Sequence, residues 1–128
     1  VADFQLFNAG ANAVLDSGIT GTVKFALSTK TAEELGPSAV AGAISEITGT
    51  GYAQISQTAP SAASQKKSFS AIEYKTETHT DWPSSVKSVV MLMGGVAICA
   101  WNLREGGGAR DMSGAQTTEA FTATYSQS

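Results

Sequence analysis

The sequence predicts a mainly β protein, a small antiparallel β-sandwich or jelly-roll-like sheet pair with a short N-terminal helix. Three observations lead there. Residues 22–29 alternate, with Val23, Phe25 and Leu27 on one face and Thr22, Lys24, Ala26 and Ser28 on the other. Two apolar runs, residues 86–93 and 96–103, are separated by Gly94-Gly95, a pair able to take the positive φ of a tight hairpin. The chain also lacks the strand–helix alternation of a parallel sheet, and it has no internal repeat.

The helix is expected over residues 4–15, where Phe4, Phe7, Ala11, Val14 and Leu15 recur at spacings of three and four, with Gly18 as its stop. After the first strand, residues 30–51 read as a long surface connection. Within it Thr31 caps one helical turn carrying Glu33 and Glu34, Gly36-Pro37 ends that turn, and residues 43–47 pair briefly at an edge. A connection of this length is expected to be functional or partly ordered by a partner.

A second strand follows at residues 52–58, then a turn over residues 60–64. A third spans residues 68 to about 80, with Glu73, Lys75 and Glu77 on its solvent side. Asp81, Trp82 and Pro83 make a turn before the apolar hairpin, which forms the core. A glycine-rich loop over residues 105–114 leads to a last strand at residues 119–125. About six strands and one helix thus make one domain over residues 1–128, with an arm or helix at 1–18 and the sandwich at 22–125.

Composition narrows the function. Ala, Ser, Thr and Gly make up nearly half the chain, and the net charge is only −3. Such small side chains lose little entropy on ordering and permit close strand contact. The basic residues are scattered, with Lys66-Lys67 the one adjacent pair, so nucleic acid is not an expected partner. The beginning of the chain has no basic, apolar leader pattern and reads as a cytoplasmic product that has lost its initiator methionine. No stretch is long and apolar enough to span a bilayer, since residues 86–101 are broken by Lys87, Ser88 and Gly94-Gly95, and no membrane partner is expected.

The sequence offers little for catalysis. Cys99, the single cysteine, lies in an apolar run and reads as a small buried hydrophobe. His79 is close to Asp81 but has no nucleophile elbow to serve, and reads as a surface histidine. One His and one Cys twenty residues apart do not make a zinc site, and Asp111 lacks the acid spacing of a calcium loop. Gly106-Gly107-Gly108 lacks the Lys-Ser/Thr of a phosphate loop. The expectation is a protein that is not an enzyme, with no catalytic residue, metal or cofactor. Its candidate contact residues are Phe4, Phe7, Glu33, Glu34, Trp82, Arg104, Arg110 and Asp111. Arg104, Glu105, Arg110 and Asp111 suit local pairing around the loop, with docking onto a polar partner as the alternative. Trp101 is expected in the core, and Trp82 is either a structural plug or an interface anchor.

Five segments in order carry a resemblance: a helix stop at residues 16–18, VKFALST at 23–29, GTGYAQ at 49–54, TDWPSSVKSVVMLMGGVAICAW at 80–101, and a closing aromatic strand at 121–125. In this order the chain resembles virion structural proteins of tailed bacteriophages. The resemblance implies a β-sandwich, made in the host cytoplasm and carried in the virion, that decorates and stabilises the outer capsid surface. The implied partners are the major capsid protein and copies of itself, a closed trimer being the natural symmetric guess. A tail or fibre component with a receptor- or glycan-binding face is the alternative. The extensions available to lie across subunits are residues 1–13, the long connection, and the tail after Tyr125.

Overall fold

A computed structural model describes residues 3–62 and 66–126. The fold is mainly β and entirely antiparallel. β2 (Thr22–Ser28), β6 (Ser88–Met93) and β7 (Val96–Asn102) form the middle of a five-stranded sheet ordered β1-β7-β6-β2-β3. Its edges are β1 (Phe4–Leu6) and β3 (Ile55–Thr58). Gly94 and Gly95 take φ of 57° and 81°, so the β6–β7 turn has the left-handed geometry that this hairpin requires.

Facing this sheet are two short pairs, β4 (Lys66–Ser68) with β9 (Thr124–Ser126) and β5 (Ile72–Lys75) with β8 (Thr118–Phe121). They are two halves of one antiparallel ribbon. Phe69 continues the β4–β9 register by donating to Ala123, and the register slips by one residue before Ile72 meets Phe121. A bulge, with Ser70 and Ala71 opposite Thr122, accounts for the slip. The expected single strands at residues 68–80 and 119–125 are each divided there. The first also ends early, because Glu77 turns the chain at φ 51°.

The main core lies between sheet and ribbon. Val23, Phe25, Leu27, Val89, Met91, Cys99 and Trp101 face Phe69, Ile72, Tyr74, Ala123 and Tyr125. Side chains close both seams. At one, the Gln57 amide donates to Ser70 O (2.7 Å) and accepts from Ser70 N–H (3.1 Å), as a neighbouring strand would. At the other, Trp101 Nε1 donates to Thr124 O (3.2 Å) and Phe4 lies against Trp101 and Tyr125.

The second face of the sheet is covered as well. Ala26, Val90, Leu92, Ala97 and Ala100 meet Phe7, Ala32, Ala39 and Ile44. The long connection therefore packs on its own chain: it holds α2 (Ala32–Leu35), a 3₁₀ turn at Ala41–Ala43, and an antiparallel bridge from Glu46 to Ser28. Burial on both faces explains why β6 reads as an unbroken apolar run rather than an alternation.

The N-terminal segment differs from its expected form. Phe4–Leu6 pairs with β7 as β1, Phe7 N–H donates to Ile98 O, and only then does α1 (Asn8–Ser17) begin. Its packed side carries Gly10, Ala13 and Val14, while Leu15 is 84% exposed. Gly18 ends the helix at φ 69°, as expected. Of the expected turn at residues 60–64, Ala63 and Ser64 lie outside the described residues, as do Val1, Ala2, Gln127 and Ser128 at the two ends.

Candidate functional site

Most of the candidate contact residues converge on one end of the sandwich, where β2 and β7 finish and β6 begins. Asn102, the last residue of β7, organises it. Its Oδ1 accepts from Ala32 N–H at the start of α2 (2.7 Å), and its Nδ2 donates to Asp3 Oδ1 (3.1 Å). The same Asp3 oxygen accepts from Gly106 N–H in the glycine-rich loop (2.9 Å). One amide thus ties the arm bearing Phe4, the turn bearing Glu33 and Glu34, and the loop after Arg104.

Thr31 caps α2 as expected, Glu34 answers it in a reciprocal capping box, and Glu34 also lies 3.6 Å from Lys87 Nζ. The Thr31 N–H bond is the main cause holding the Glu34 carboxyl below its ordinary range. Glu33 is exposed beside it. Thr31, Glu33, Glu34, Lys87 and Gly106 line a shallow surface depression of about 450 Å³.

Arg104 and Arg110 pair locally, but through Glu119 of β8 rather than through Glu105 or Asp111. Arg104 grips Glu119 with two bonds (Nη1–Oε2 2.9 Å, Nη2–Oε1 2.8 Å), and Arg110 Nε adds a third (2.8 Å). Glu119 is only 6% exposed, and the Arg104 contact foremost holds its carboxyl below the usual range. Asp111 accepts from Ser113 N–H and hydroxyl in a tight local turn.

Two candidates are corrected by burial. Phe7 is fully buried, because it fills the second core against the long connection. Trp82 is 3% exposed: Gly49 lies against its indole, and Nε1 donates to Thr50 O (2.8 Å). Trp82 is therefore the structural plug. Phe4 remains 37% exposed at the seam.

Asn102 and Glu119 organise this end, yet neither stands out in the sequence. Asn102 has one signal, a polar side chain closing an apolar strand, and Glu119 sits among threonines with its partners in another element. Cys99 is buried, which pushes its thiol well above its ordinary value. Among the described residues no group of three His, Cys, Asp or Glu could hold a metal, and no helix is long and apolar enough to cross a membrane. Comparisons with protein-family models, curated proteins and solved structures found no match.

Proposed function

We propose that this chain is a non-enzymatic virion structural protein that decorates the outside of a tailed-bacteriophage capsid and stabilises it by binding across capsomers. The observation that carries the reading is the order of the five resembling segments along most of the chain. Their mutual contacts support it: residues 49–54 dock on Trp82, and β2 pairs with β6, so the segments build one core. A rigid core is what a clamp between subunits requires.

The contact surface would be the end organised by Asn102. It presents Glu33, Glu34, Lys87, Arg104, Arg110 and Asp111, charges of both signs suited to a polar partner. The partners would be the major capsid protein and copies of this chain, with a closed trimer leaving no interface unpaired. Weak contacts repeated over a shell would act together through multivalency. A tail or fibre part with a receptor- or glycan-binding face is the second reading, favoured by the gathering of polar loops at one end. With residues 48–54 closed over it, Trp82 is covered and adds no exposed ring to that face.

Quantitative mass spectrometry of purified particles tests this. The decoration reading expects a simple ratio to the major shell protein. A much smaller complement would move the chain to the tail or fibre, and absence from particles would sink both readings.

A further inference from the structure

Residues 44–58 run along the free edge of β2 twice. First Ile47 N–H donates to Leu27 O (3.1 Å) and Thr29 N–H to Ser45 O (3.2 Å), around the Ser28–Glu46 bridge. Then β3 returns to the same edge, pairing from Ile55 opposite Phe25 to Thr58 opposite Thr22. Between these anchors, residues 48–54 leave the edge as an arch.

Side chains fasten the arch to the rest of the molecule. Asp81 accepts from Thr50 N–H at 3.0 and 3.1 Å and from its hydroxyl at 2.7 Å. Trp82 donates to Thr50 O. The Tyr52 hydroxyl accepts from Leu27 N–H (3.0 Å), where a strand carbonyl would stand, and donates to Glu46 (2.7 Å). The backbone bond from Tyr52 N–H to Gly49 O stays within the arch. Beneath it, Tyr52 stacks on Tyr74 and meets Trp82 edge-on, and both of those rings are 3% exposed.

We propose that residues 48–54 are a latched arch that lifts as a unit while both sheets stay folded, uncovering Trp82, Tyr74 and the Leu27 N–H. The energetic case is local. Thr48, Thr50, Gly51 and Ala53 are exposed, so lifting costs the Thr50 and Tyr52 bonds and the Tyr52 contacts with Tyr74 and Trp82, while Val23, Phe25, Val89 and Met91 keep their partners between the sheets. Ile47 and β3 hold the two ends close together, so little loop-closure entropy opposes reclosing. The open state would offer aromatic rings and an unpaired strand edge, which the closed state hides.

Hydrogen–deuterium exchange of the full chain, resolved by peptide, tests the arch in the native protein and in the Asp81→Ala and Thr50→Val variants. Residues 48–54 should exchange ahead of residues 88–102 in the native chain. Asp81→Ala should speed the arch by about fivefold or more, and Thr50→Val by about threefold, with β6 and β7 unchanged. Exchange of the arch in step with β6 and β7, an equal speeding of both, or indifference to both variants would overturn the proposal. Thr50→Val removes one exposed hydroxyl and keeps the test available should Asp81→Ala not fold.

Discussion

Glu119 is a nearly buried carboxylate whose charge is matched by two guanidinium groups reaching it from a loop. Removing that charge while keeping the shape leaves Arg104 and Arg110 one neutral acceptor oxygen in place of two charged ones, and sets an NH2 donor against a guanidinium N–H. Because both arginines are partly solvated, with side chains 45% and 31% exposed, the cost falls below that of a fully buried pair. Glu119→Gln should lower stability by about 1–2 kcal/mol in urea unfolding. The pH dependence has a definite sign. The folded-state carboxyl is held down, so its contribution is complete above the ordinary carboxylate range and is lost as pH falls through the lowered folded value. Native stability should therefore decline below about pH 5, and the decline should be shallower in Glu119→Gln.

At the level of elements, α1 docks on β7 through Gly10, where an added Cβ would strike the Ile98 backbone. In an exposed helix Gly→Ala gains about 1 kcal/mol. Here the contact reverses the sign, and Gly10→Ala should destabilise by about 2 kcal/mol, read as a lower urea midpoint. A stabilised variant would mean that the helix does not sit on β7. The same junction shows why some elements were legible and others were not. β2, β6 and β7 declare themselves through alternation, apolar runs and Gly94-Gly95, all local signals. Phe4 and Phe7 share a helical spacing, but β7, far along the chain, decides between them: Phe4 pairs with Trp101 in a strand, and Phe7 N–H meets Ile98 O just before the helix. The ribbon's bulge at Ser70 depends on Gln57, and the burial of Trp82 on Gly49, partners that no local window contains. The candidate site divides the same way. The Thr31 cap is a local signal and was legible, whereas the Glu34 half of the capping box, the Asn102 junction and the Glu119 clasp were found only in the fold.

Taken whole, the molecule is a five-stranded sheet packed on both faces, with side-chain closures along both seams and a charged end tied by Asn102. Such a body suits a structural clamp: the core resists deformation, and the end presents donors and acceptors on anchored segments. This links the fold to the proposed place on a capsid, and a direct binding measurement examines that link. Heads lacking the chain would be titrated with the purified protein, and both the bound copies at saturation and the heads' resistance to heat would be measured. A capsid clamp should saturate at a simple ratio to the shell subunit and raise the temperature of DNA release. Heads that bind none, or that bind without saturating and gain no heat resistance, would contradict it.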